Sequence, residues 1–527
     1  MDTKPETKEN HLEVGSTTRK TQKLFKDTSL FAISNFASKI LIFFFTPLYT
    51  RVLSTEEYGI ADLIVSSVNF IYPLLTLSIA EGTLRFAMDK SKAHKQVLST
   101  SLSFINVSVL LLMLGCLVVF LAVNEIFEWF SIFVVLYTLY NYHNCLSNYV
   151  KAIGKTKLFA VQGIIMTIMI IICNVVFLLV WKIGIYGYLF SMIAGYIIPI
   201  IIMFVGSRLR ICELFRIDST LLKEMLKYSI PMIPTLLAWA INSYIDRYII
   251  IGFLGIAASG LYSVAHKIPS LLTTVLAIFT QAWQLSAIEN HGDDEEEKFH
   301  SNVYHYYDYV CVMGCVLVII LAKPMASFLY SNDFFIAWQY VPLLTVSALF
   351  SSHAGFLAAA FRASKKTSGL FWSVIIGSSC NLIANLILVP IYGIMGAAIA
   401  TVLSFVIMWA IRLYLIKKII NIKVRWGVTI PSYLILVLLL ILVTADIPMA
   451  IIYGVACMIV IMVIHWKDNI AIMSLVKSLF VKYKTKRKDY EHGQSYGYSQ
   501  FCCRRRGRCR ARAGQIPLFL PCQPFGG

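Results

Sequence analysis

Apolar residues fill the chain in blocks of about 20, each closed by a short polar stretch, the spacing of helices that cross a bilayer. Fourteen blocks are predicted, at roughly 30–49, 60–82, 99–123, 126–147, 159–181, 184–206, 228–252, 257–286, 303–326, 338–361, 369–390, 394–416, 428–445 and 449–466. The loops between them alternate in charge. Those after even-numbered blocks carry Arg85, Lys90, Lys92 and Lys95, then Lys151, Lys155 and Lys157, then Arg208, Arg210 and Arg216. Later ones carry Arg362, Lys365 and Lys366, then Lys417, Lys418, Lys423 and Arg425. Loops after odd-numbered blocks hold almost none, Arg51 and Lys182 excepted. Cationic loops stay in the cytoplasm, so both termini are expected there. The acidic loop 288–302 (Asp293 to Glu297) is cytoplasmic by parity, since acidic residues count little in the rule.

The pattern repeats at an offset near 200–210 residues. VLSTEEYGIA at 52–61 echoes FLGIAASGLY at 253–262, with Leu53 over Leu254 and Gly59 over Gly260. Lys155-Thr156 echoes Lys366-Thr367, and Gly184–Gly187 echoes Gly393–Gly396. The fold class expected is an all-α polytopic bundle of two pseudo-repeated six-helix lobes, 30–206 and 228–416, with extra helices in 428–466. A polar cytoplasmic tail covers 1–29 and a basic one 467–527. In transporters built of repeats, substrate lies between the repeats.

Composition agrees. Of 527 residues 58% are apolar and 14% charged, too few charges to cover a soluble surface of this size. The net charge of +18 sits in loops and tails, which excludes a nucleic-acid groove as its reason. The polar stretch before the first block is too long and mixed for a signal peptide. Twelve cysteines form no CxxC pair, so neither a zinc site nor a disulfide framework is expected. After Phe501 the composition turns abruptly to Arg, Cys, Pro and Gly, which reads as a frameshifted or vector-derived end.

Ionisable groups at membrane depth are costly and therefore candidates for function. Lys39 stands mid-block with Asn35 one turn earlier; it faces a watery cavity or reaches an interface. Asp62, Ser66, Asn69 and Pro73 form one stripe, which either glues helices or lines a cavity. Glu81 and Arg85 are spaced for a local ion pair. Asn242 and Asp246 share a face, with Arg247 about 100° round the helix. Asp246 and Arg247 either pair with each other, or Arg247 meets an anionic ligand while Asp246 positions it or couples an ion. Lys267 aligns with Ser263, Ser270 and Thr274. Gln281, Trp283 and Gln284 are groups that contact sugars or anchor at an interface. Cations at Lys39, Arg247 and Lys267 suit a phosphate or pyrophosphate whose lipid chain stays in the bilayer.

Asp246-Arg247-Tyr248, followed by IIIGFLGIAASGLYSVAHKI and FTQAWQLSAIE, resembles the signature of polysaccharide-export flippases in the multidrug/oligosaccharidyl-lipid/polysaccharide (MOP) exporter superfamily. LFAISNFASKILIFFFTPLYTRVLSTEEYGIADLI is similar to that family's opening. The pattern covers about residues 25–466, and the two blocks are its specific part. Gln284-Leu285 departs from it, where family members often carry a proline. The resemblance implies a MATE-like bundle with a cationic cavity, to which Lys39, Arg247 and Lys267 are the available contributors. It implies alternating access and turnover of undecaprenyl-pyrophosphate-linked oligosaccharide. Its partners would be that lipid-linked substrate, the bilayer, a polysaccharide polymerase or export machinery and a coupling ion (H+ or Na+).

No cofactor, metal or nucleic acid is expected, and no GxxxxGK[ST] motif supplies ATP chemistry. The alternative is a cation-coupled multidrug exporter, which calls for an acidic cavity. A membrane polymerase or acyltransferase is disfavoured by short outer loops and by the lack of clustered Ser/His or His/Asp groups; the chain is not expected to be an enzyme.

Overall fold

The computed structural model describes residues 40–470 except 42, 90–91, 123–126, 210–215, 290–295, 365 and 448. The described residues are helical, without a strand. Ten of the described helices are long and apolar enough to cross a membrane, and Ala450–Ile464 is a shorter apolar helix. The count differs from fourteen for physical reasons. The first block lies mostly outside the described residues. Phe127–Ala152 is diluted by Tyr, Asn and His, and Ile233–Leu254 carries Asn242, Asp246 and Arg247.

The first half comprises α1 (Thr46–Val52), α2 (Thr55–Leu75), α3 (Ile79–Ala87), α4 (His94–Ala122), α5 (Phe127–Ala152), α6 (Thr156–Asn174) and α7 (Gly184–Gly206). Then α8 (Ser219–Ser229) packs on α3 and α4. The second half comprises α9 (Ile233–Leu254), α10 (Ile256–Ala265), α11 (Lys267–Glu289), α12 (Glu296–Leu329), α13 (Val341–Ala363), α14 (Ser368–Tyr392) and α15 (Ile394–Ile416). Helices α16 (Trp426–Thr444) and α17 (Ala450–Ile464) follow and pack on α12. The chain beyond Ile464 is a separate unit, of which 465–470 are described.

The echo in the sequence reappears in the backbone. Gly184 (φ 55°) and Gly393 (φ 61°) open α7 and α15 in the left-handed region that favours glycine. The echoed segments also meet. A Cβ on Gly59 would lie 2.4 Å from Ile256 O, and one on Gly260 would lie 2.1 Å from Thr55 O. Each glycine thus receives the backbone of the other segment's first turn, as in a self-complementary twofold contact. Through it α2 packs on α10, while α9 also packs on α2. A second bridge runs from α1 to the end of α12, where Thr50 Oγ1 donates to Leu329 O at 2.9 Å. A capping box starts α2: Ser54 Oγ accepts from Glu57 N at 3.1 Å and Ser54 N donates to Glu57 Oε2 at 2.8 Å.

Polar groups also tie α16 to the second half. His353 Nδ1 lies 2.8 Å from Leu349 O, and its Nε2 lies 2.7 Å from Asp308 Oδ1. A carbonyl only accepts, so the Leu349 contact is donated by Nδ1. Tyr433 and Thr429, both on α16, donate to the same carboxylate at 2.8 and 3.2 Å. Cys311 and Cys315 are buried in α12 as free thiols.

Candidate functional site

The longest polar stripe of the first half meets the charged helices of the second at Asp62. Arg247 Nε donates to Asp62 Oδ2 at 2.5 Å and to Ser263 Oγ at 3.2 Å. Ser263 donates to the same Oδ2 at 2.6 Å, and Ser66 reaches it at 3.4 Å. Arg247 Nη1 is held by Ser243 O at 2.7 Å. Three helices, α2, α9 and α10, therefore converge on one carboxylate oxygen, beside the Gly59–Gly260 contact. Next to it Ser67 and Tyr248 share a hydrogen bond of 2.8 Å. Lys267 Nζ lies over the Tyr58 ring, 5.9 Å from its centroid, and within electrostatic reach of Asp62. Among the described residues it forms no ion pair. The cluster gathers two cations, Arg247 and Lys267, around Asp62, and Asp246 also lies within electrostatic reach of Arg247.

Asp246 faces another way. It is 2% exposed and makes no ion pair with its neighbour Arg247 among the described residues. Of the two sequence alternatives, the local Asp246–Arg247 pair is absent among the described residues, because the 100° step between consecutive helical residues aims the two side chains at different neighbours. Asp246 accepts from Tyr262 Oη (2.6 Å), Asn385 Nδ2 (2.7 Å) and Thr401 Oγ1 (2.7 Å). Asn242 Oδ1 accepts from Ser404 Oγ nearby. Around them Asn242 Nδ2, both amide atoms of Asn381 and Asn385 Oδ1 are buried without a partner among the described residues. Buried polar groups are nearly always satisfied, so this concentration of orphans marks a buried polar cluster shared by α9, α14 and α15. Its carboxylate, amide and hydroxyl oxygens are a donor set for a hard cation.

The remaining predicted positions divide. Lys39 and Asn35 lie outside the described residues. Asn69 bonds back to Val65 O at 2.9 Å, and Ser270 to Lys267 O at 2.6 Å, each within its own helix. Gln281 and Gln284 are partly exposed on α11. Trp283 is 3% exposed and stacks on Phe356 at 4.6 Å, so it packs α11 on α13 instead of presenting a face to a sugar. Glu81 and Arg85 form no ion pair among the described residues; each follows its own surroundings on α3. Tyr262, Asn381, Asn385, Thr401 and Ser404 were not singled out in the sequence. Their only signal there is a polar residue at helical spacing in an apolar block.

Residues 24–284 match the profile of the family described as polysaccharide biosynthesis protein. An uncharacterized membrane protein of Methanocaldococcus jannaschii is 24% identical over 262 residues, 46% of this chain and 61% of that protein. A second from the same organism is 46% identical over 46 residues, 9% of each chain. The chain thus spans about three fifths or less of the length of these relatives. Among solved structures, the lipid II flippase MurJ in an inward closed conformation superposes with a TM-score of 0.64 at 19% identity, covering 84% of this chain and 99% of that one. An inward-facing multidrug resistance MATE family transporter of the MOP superfamily superposes with a TM-score of 0.56 at 13% identity, covering 73% and 98%. Residues 24–284, just under half of the chain, thus resemble the family described as polysaccharide biosynthesis protein, and the fold is the one seen in these MurJ and MATE structures.

Proposed function

We propose that the protein is a flippase that carries undecaprenyl-pyrophosphate-linked oligosaccharide across the bacterial inner membrane for surface polysaccharide export. The observation that carries this reading is the pair of cations Arg247 and Lys267 gathered at Asp62 in an apolar bundle, with Lys267 left over once Arg247 has paired. A pyrophosphate leaving water needs charge-assisted donors, and Lys267 has no competing ion pair among the described residues. Lys39 would add a further cation. In this reading 30–206 and 228–416 are two lobes, 428–466 are added spans, and both termini are cytoplasmic. The Gly59–Gly260 contact and the Asp62–Arg247 pair then close the extracytoplasmic end. The headgroup docks from the cytoplasm while its lipid tail stays in the bilayer. Rocking of the lobes parts Arg247 from Asp62 and opens the other side.

An inside-negative potential favours expelling an anion by about 2.3 kcal/mol per charge per 100 mV. The oxygen-lined cluster at Asp246, Asn381, Asn385 and Thr401 is the place for a coupling Na+ or H+. The rival is a cation-coupled multidrug exporter, for which an acidic central site would be needed.

The test is the location of lipid-linked repeat units in cells depleted of the protein and complemented with wild type, Lys39→Ala or Lys267→Gln. Accumulation on the cytoplasmic face, relieved by wild type and not by the variants, supports the reading. Normal delivery to the outer face, with no second flippase expressed, refutes it.

A further inference from the structure

Helix α2 does not continue into α3. Pro73 lies inside its last turn, and Leu77 (φ 45°) and Ser78 (φ 55°) take left-handed backbone conformations that non-glycine residues adopt at a cost. The break is braced: Thr76 Oγ1 donates to Tyr72 O at 2.6 Å, and Asn148 Nδ2 to Ala80 O at 3.1 Å. Interrupted membrane helices are tolerated where they border protein or a watery cavity. Four tyrosines gather at this break from four helices. Tyr72 (α2) and Tyr140 (α5) pack edge to face at 5.3 Å, and Tyr140 meets Tyr196 (α7) at 6.2 Å. Tyr244 (α9) lies within electrostatic reach of all three, from the opposite half of the bundle. All four rings are partly exposed. None of the four hydroxyls has a hydrogen-bond partner among the described residues. Glu81, just past the break, faces Tyr72, Tyr140 and Lys151 and makes no ion pair among the described residues.

We infer that Tyr72, Tyr140, Tyr196 and Tyr244, with Glu81, form a saccharide-binding subsite, which holds the first sugar next to a pyrophosphate at Arg247 and Lys267. This rests on the flippase reading and adds to it where the sugar is recognised. Tyrosine offers an apolar face for the C–H side of a pyranose ring and a hydroxyl for its O–H groups. A carboxylate accepts two such hydroxyls. Arg247 lies 5.6 Å from the Tyr244 ring centroid, so the aromatic wall adjoins the cationic cluster directly, as a sugar adjoins its pyrophosphate. The same adjacency opposes the other ligand class an aromatic wall could take, an organic cation, since the Arg247 guanidinium already stands beside it and the Lys151 ammonium lies within electrostatic reach of Glu81.

The experiment measures binding to the full-length protein in nanodiscs of three probes: undecaprenyl pyrophosphate, undecaprenyl-pyrophosphoryl-N-acetylhexosamine, and tetraphenylphosphonium. Tyr72→Phe, Tyr140→Phe and Tyr196→Phe keep the rings and remove the hydroxyls; Glu81→Gln is the fourth variant. Wild type should prefer the glycosylated probe over the bare pyrophosphate. Each Tyr→Phe should weaken the glycosylated probe roughly 2- to 10-fold and leave the bare one unchanged. If the variants affect both probes alike, or neither, the subsite is refuted and the flippase reading stands. If wild type binds neither lipid probe, both are refuted. Tetraphenylphosphonium binding that depends on Glu81 would also overturn the proposal, in favour of a cation cage.

Discussion

Gly260→Ala tests the contact proposed to close one end of the bundle. The added Cβ would sit 2.1 Å from Thr55 O and 3.1 Å from both Thr55 C and Gly59 N, all backbone atoms that cannot rotate away. Helices α2 and α10 must separate to accept it. Overpacking of this kind costs about 1–3 kcal/mol. Gly260 lies inside a helix, so alanine also gains roughly 1 kcal/mol of helix propensity, but in every conformation, and this cancels from the equilibrium between them. The penalty therefore falls on the closed state alone and shifts the ratio of open to closed by about 5- to 150-fold. Spin labels at the exposed positions Glu56 and Phe253 read the separation by double electron–electron resonance in a cysteine-free background. Wild type should give a short-distance population, and Gly260→Ala a long-distance one. Gly252→Ala, whose Cβ meets nothing within 4 Å, is the control and should match wild type. An unchanged distribution in a folded Gly260→Ala protein would refute the role given to this contact.

Removing one partner of a part-buried ion pair strands the other, so Arg247→Gln should lower thermal stability by about 1–3 kcal/mol, discounted for residual exposure. Asp62→Asn/Arg247→Gln should recover part of it; a double variant worse than the single one would show that Asp62 is not Arg247's effective partner. His353→Ala strands buried Asp308 and should cost about 3–5 kcal/mol, whereas Tyr433→Phe should cost no more than about 1.5 kcal/mol. Equal thermal shifts for the two would mean that the pair does not anchor α16.

Where the helices run was written in the sequence, because apolar blocks and turn glycines are local signals. Gly184 and Gly393 were legible as matched turns, and both have the positive φ that glycine favours. The repeat was legible too, as VLSTEEYGIA over FLGIAASGLY. That these two segments pack on each other was not, since a repeat encodes similar structure and not mutual contact. The charges Asp62, Asp246, Arg247 and Lys267 stood out by their cost in an apolar run, yet their partners did not. Asp62 and Arg247 are 185 positions apart, and Asp246 and Thr401 155, distances over which no helical period carries information. The tyrosines at the break in α2 were hidden for another reason: tyrosine is common in membrane helices and ambiguous by itself. Local pattern thus marked most of the apolar helices, the echo of 52–61 in 253–262 and the residues expensive enough to need a reason. Only the tertiary structure decided which charge neutralises which, and which hydroxyls remain free, because pairing depends on how helices cross and not on how they are spelled.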